Sequence, residues 1–322
     1  MPGTVSTQIR VAPCASATLL VGCGSSTIES ALKPARFISF GDGFSDVGSL
    51  GVNKKYTVND ASLNNWTQQV AASYGLSIAP STGGGLGYAQ GNARVTVKPD
   101  AAGSSTTLTV TQQVDAFLAA NALAANDVVL MNGGISDIVA EMAAVTAGTE
   151  TTAQMSVNVQ QAGKDLAAQV HRLVKAGAQH LVVVGTYDLS TSPWAAAIGQ
   201  IRNNSLLSTT SNQFNDALLL NIVDLGANVL YVDAAFYFNL VTSMPTAYAP
   251  LANATTVICT STDPGPGIGT GAGQGNSALC TPTTIPAGVD YNTFLFADRL
   301  YFTPTAHRLF GTNAFTKLIQ RW

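Results

Sequence analysis

The chain has 322 residues, 46% of them hydrophobic and only 10% charged, with a formal net charge of -3. That length and apolar content support a large buried core, read here as one domain. Lysine and arginine are scattered, which excludes the phosphate-neutralising stripe of a nucleic-acid-binding protein, and no run of like charge marks an interaction tail.

In chain order, Arg10 precedes a short apolar run from Val11 to Gly22. The run is too short to span a bilayer and has the size of a signal-peptide core. Leu20-Val21-Gly22-Cys23 then has the form of a bacterial lipobox, in which the peptide is cut before the cysteine and the thiol is acylated. Residues 1–22 are therefore expected to be a signal peptide, Cys23 the lipidation site and residues 23–34 a polar tether. The expected destination is the bacterial outer membrane, with anchoring through lipid. An ordinary secretory signal, giving a periplasmic or secreted protein, is the alternative.

The folded region is expected from Ala35 onward, opening on the strand Arg36 to Phe40. Apolar spacing predicts helices over Asn65 to Tyr74 and Val114 to Ala124, then a buried strand over Asp127 to Met131. A helix over Gln160 to Ala176 is stopped by Gly177 ahead of the strand His180 to Gly185. A further helix, Asn212 to Leu225, leads through Gly226 into a strand at Asn228 to Asp233. Helix and strand in alternation predict an α/β fold with a parallel sheet, whose ligands sit at the carboxyl ends of the strands. The turns at Gly43, at Gly133-Gly134 and at Thr186-Tyr187-Asp188 should gather on that edge, overhung by an insertion of Thr, Pro and Gly at about residues 243–292.

Cys259 and Cys280 flank an irregular Gly-rich run that packs no core of its own, and a disulfide between them is expected. C-x-x-C spacing and a histidine cluster are both missing, which disfavours metal binding, and no cofactor is expected.

The chemistry-bearing segment is Phe40-Gly41-Asp42-Gly43-Phe44-Ser45-Asp46 followed by Val47-Gly48. Three later segments extend the pattern: Tyr88-Ala89-Gln90-Gly91-Asn92-Ala93-Arg94, Gly134-Ile135-Ser136-Asp137 and Asp298-Arg299-Leu300-Tyr301-Phe302-Thr303-Pro304. Together they resemble the SGNH/GDSL family of esterases and lipases. Asp188-Leu189-Ser190-Thr191-Ser192-Pro193 and Phe214-Asn215-Asp216-Ala217-Leu218 add to the likeness, which covers nearly everything from Arg36 to Gly311.

The resemblance implies a three-layer α/β/α sandwich around a central parallel sheet, flavodoxin-like in outline, and hydrolysis of carboxylic esters. It also places the machinery. The nucleophile serine falls on Gly43, the catalytic histidine on Tyr301, the oxyanion asparagine on Ser136, and the acid is retained as Asp298. Gly91 or Asn92 could offer a backbone N-H to an oxyanion, or could simply form a tight turn. Ser136 is expected to cap the following helix, and Asp42, Asp46, Gly134 and Asp137 to support the site.

His307 matches a second family histidine and reads as a helix residue; His171 and His180 read as structural. Loss of the serine or the histidine of a triad costs about 10⁶ in turnover, roughly 8 kcal/mol of barrier. The expectation is thus an exported, monomeric, catalytically impaired lipoprotein with a cleft for an acyl ester, a glycan or an envelope partner. Two alternatives stand beside it: an active esterase using a non-standard nucleophile such as Ser45, or a serine enzyme engineered to carry Gly43.

Overall fold

In the computed structural model, residues 3, 31–51, 53–62, 65–202 and 204–322 are described. The signal segment and the Cys23 lipobox lie outside them. Four short apolar runs form a parallel sheet in the order β1 (Arg36–Phe40), β2 (Asp127–Asn132), β3 (His180–Val184) and β4 (Val229–Tyr231). Register pairs Phe40 with Met131 and Asn132 with Val184. The three strand ends therefore finish side by side, and the turns at Gly43, Gly133-Gly134 and Thr186 gather on one edge.

Each strand-to-strand connection carries helices. Between β1 and β2 lie α1 (Trp66–Ser73) and α2 (Val110–Ala120); α3 (Ile135–Thr146) and α4 (Thr152–Lys175) precede β3. α5 (Pro193–Ala197) and α6 (Leu206–Leu220) precede β4, and α7 (Ala234–Ser243) follows it. The C-terminal α8 (Pro304–Arg321) packs on α1, while α4 packs on α6, α3 and α2. Every residue of β2 is buried, as a central parallel strand requires.

Three helices begin earlier than their apolar spacing suggests, because their caps set the start. Thr109 opens α2 with a reciprocal capping box to Gln112, Thr151 accepts the Gln154 amide at the head of α4, and Ser205 accepts the Ser208 amide at the head of α6. α2 and α6 also stop earlier, at Asn121 and Asn221. The insertion is more ordered than its composition implies: β5 (Asn253–Val257) pairs in parallel with β6 (Phe294–Phe296) in a second, two-stranded sheet. The expected Cys259–Cys280 disulfide is present.

Candidate functional site

The site begins where β1 ends. Gly41 has φ +147°, and a Cβ there would stand 1.9 Å from Oδ1 of Asn132 on the neighbouring strand, so only glycine fits. Asn132 in turn donates its amide to Asp42 Oδ1 at 2.7 Å, and Phe44 N donates to the same oxygen at 3.0 Å. Asp42 is fully buried, and burial pushes its carboxyl up, against the amides of Asn132, Phe44, Ser136 and Ile135. With Ser45 N bonded to Asp42 O at 3.0 Å, the motif closes as a turn. The first helix after the motif, α1, starts at Trp66.

Tyr301 occupies the space that a side chain at position 43 would need. A Cβ built on Gly43 would lie 2.7 Å from Cζ, 2.8 Å from Oη and 3.0 Å from Cε1 of that ring. Tyr301 is 1% exposed. Its ring lies 5.1 Å from that of Tyr56 at an interplanar angle of 58°. Tyr56 repeats the arrangement one position over, since a Cβ on Gly91 would fall 1.9 Å from its Oη. Two glycines thus face two tyrosines. Burial, with Asp42 and Asp298 nearby, pushes the Tyr301 hydroxyl well above its ordinary value. The phenol stays protonated at neutral pH and is no base.

Asp298, expected from the resemblance to be the acid, is bonded to backbone amides. Its Oδ1 accepts from Leu300 N at 2.8 Å and Tyr301 N at 2.7 Å, while Oδ2 accepts from Ser277 N at 2.9 Å. The carboxylate therefore shapes the Tyr301 turn and ties it to the segment beside Cys280.

Of the donors expected from the sequence, the Gly91 amide is taken. Gly91 N donates to Asp46 Oδ2 at 2.8 Å, and Asp46 further accepts from Gly48 N, Ser49 N and Ser49 Oγ. Asn92, at φ +63°, donates its side-chain amide to Gly267 O at 2.9 Å, which brings the Gly-rich loop down over the edge. Of the two readings for this segment, the tight turn is the one observed.

Ser136 does not cap α3; Gly134 at φ +106° does, without a side-chain bond, and Ser136 lies buried in the first turn. A Cβ on Gly134 would meet the Phe214 ring at 2.7 Å, which accounts for the glycine. Asp137 accepts from Val95 N at 3.2 and 3.1 Å and lies 3.6 Å from Arg94 Nε. Burial pushes its carboxyl up to about 6 despite Arg94.

The remaining candidates are structural. Ser45 Oγ accepts from Trp66 Nε1 at 3.0 Å and is fully buried. His307 is buried in α8, stacked 5.3 Å from the Phe44 ring, and burial holds its imidazole down to about 3. His171 bonds Asn221 O at 2.8 Å, and His180 rests edge-on to Trp322.

No protein-family model matches this chain, and no curated protein matches it.

None of five surface cavities of 210 to 570 Å³ is lined by Gly43, Tyr301 or Asp298; the smallest is lined by Arg94 and Asp137. Tyr301 and Tyr56 fill the space over Gly43 and Gly91. Among the described residues no group of three or more His, Cys, Asp or Glu is arranged to hold a metal ion. Tyr56 and Asn132 escaped the sequence reading. Asn132 is the last residue of an apolar strand, and nothing around Tyr56 announces that it meets Gly91.

Proposed function

We propose that this chain is a non-hydrolytic relative of the SGNH/GDSL esterases. On this reading it folds as their three-layer α/β/α sandwich, is exported, and is anchored to the bacterial envelope through an acylated Cys23. Its role is then binding rather than turnover. One observation carries the reading: the Tyr301 ring stands where a nucleophile on residue 43 would have to be. The loss of a side chain at 43 and the gain of a ring at 301 are two halves of one steric exchange, and Tyr56 fills the space over Gly91 beside it.

The competing readings draw less support. A recruited Ser45 would have to give up Trp66 and leave the core. A serine enzyme silenced by one engineered change would retain its histidine, whereas Tyr301 and Ser136 differ as well. An acyl or glycan ligand cannot enter the filled pocket in this conformation, which leaves an envelope partner or the membrane as the favoured binding target.

The test is a fluorophosphonate probe with peptide mapping, run beside hydrolysis of short p-nitrophenyl esters. The expected result is no adduct on any serine and no turnover above the uncatalysed rate. Turnover at the rate of an ordinary esterase would sink the proposal.

A further inference from the structure

We infer that the edge of the sheet opposite the Gly43 turn, where the strands begin, lies against an anionic lipid surface. This deepens the anchored-protein reading and rests on it.

The inference starts from two exposed side chains. Leu220 and Val223 are 75% and 79% exposed, more than any other large hydrophobic residue described. They lie at the end of α6 and in the turn leading to β4, at the starting edge of the sheet. Isolated exposed apolar residues need no explanation, but these two share their edge with the point where the chain enters the fold.

Ala31 and Leu32 line a cavity of about 430 Å³ with Asn126, His180 and Trp322, all at strand starts or at the end of α8. Arg321, next to Trp322, donates to Gly226 O just after the Val223 turn. The end of α8 thus makes one continuous edge from Ala31 to Val223. From Cys23 to Ala31 the chain advances eight residues, a covalent reach of no more than about 28 Å. An acyl group on Cys23 would hold this edge, and not the opposite one, toward the bilayer.

Charge agrees in sign. Helices run back against parallel strands, so their C-terminal ends collect here; Lys175 and Arg321 are exposed on the last turns of α4 and α8, with Lys317 one turn earlier on α8 and Lys33 at the entry. Asp216 and Asp224 are the exposed carboxylates set against them, while Arg36 and Arg172 are paired with Asp127 and Asp115. The balance is positive on a chain whose net charge is -3. Apolar tips ringed by lysine and arginine suit a phospholipid headgroup layer.

The experiment compares two full-length proteins carrying Cys23→Ser, one of them also Leu220→Ser and Val223→Ser. Partition is measured by co-sedimentation with phosphatidylethanolamine–phosphatidylglycerol vesicles and with phosphatidylcholine vesicles. Both proteins share residues 1–30, so any difference between them comes from the edge. Both substituted side chains are exposed, and circular dichroism checks the fold.

The expected result is binding weaker by about 10-fold for the substituted protein on anionic vesicles, with a smaller difference on phosphatidylcholine. Equal partition of the two proteins overturns the inference. So does a parent that sediments as a dimer and loses that state on substitution, since a second copy would then be what covers the edge. Mass analysis of Cys23 in the unsubstituted protein tests the anchor separately: an unacylated Cys23 with edge-dependent vesicle binding would remove the lipoprotein reading and leave the surface standing.

Discussion

Tyr301 Oη lies 2.8 Å from the point where a Cβ on Gly43 would stand. The contact is between the phenol oxygen and an atom that glycine lacks, so the two residues are compatible only as a pair. A serine placed at 43 alone forces an overpacked core.

Gly43→Ser should therefore destabilise the fold by about 1–3 kcal/mol. Adding Tyr301→His should recover part of that loss, because imidazole is smaller than phenol. Urea denaturation of the parent, both single variants and the double variant gives the coupling energy directly. Strict additivity would show that the ring and residue 43 do not compete for space. In ester hydrolysis the single serine variant should stay at background and the double variant should rise above it, since only the latter has a base.

Asp298→Ala should lower stability by about 3 kcal/mol, because three buried N-H donors, on Leu300, Tyr301 and Ser277, lose their acceptor. Asp298→Asn keeps an acceptor and should cost less. If both variants melt like the parent, the carboxylate is not the structural hub that its bonds suggest.

His307 gives a pH signature. Its imidazole is held down to about 3 when folded, while an unfolded histidine titrates near 6.5. A depressed folded value means the contribution is present above about pH 6.5 and is lost as pH falls toward 3, since the unfolded chain takes up the proton first. Asp137 works the other way. Its carboxyl, pushed up to about 6, favours the fold at low pH and loses that contribution as pH rises from about 4 through 6. Replacing His307 with Phe isolates the first effect: between pH 7 and pH 4 the variant should gain on the parent by about 2–3 kcal/mol. A constant difference across that range would contradict the buried, neutral imidazole.

The Cys259–Cys280 disulfide closes a loop with a sequence separation of 21 residues. Reduction should cost about 3 kcal/mol on the chain-entropy estimate, seen as a lower melting temperature in reducing buffer. An unchanged melting temperature after confirmed reduction would mean that Asp298 and the β5–β6 pair hold the insertion unaided.

Much of the sheet was readable because Val128 to Met131 and Leu181 to Val184 are unbroken apolar runs bounded by turn residues, and burial on both faces demands just that composition. Helix starts were less readable. Thr151 opens α4 ahead of a mixed polar stretch in which the 3.6-residue period is weak, so the cap, rather than the apolar spacing, defines the boundary.

At the site, the motif spacing located Gly43, Tyr301 and Asp298, but their spatial relation is not a sequence property. Nothing local says that Tyr56 covers Gly91, or that the amide of Gly91 turns inward to Asp46. Ser136 shows the opposite failure. Serine near a helix start suggests a cap, yet the positive φ required one residue earlier than the helix made Gly134 the cap instead.

Asp46 binds four donors, one of them 45 residues away on Gly91. That grip bears on the history open to such a chain. On the proposed reading, full ester hydrolysis would require a hydroxyl at 43, an imidazole at 301 and a freed amide at 91, and each change made alone breaks packing or strands a buried polar group. The intermediates are less stable than either endpoint, so the route back crosses a valley, and drift alone would tend to keep this fold on its present side.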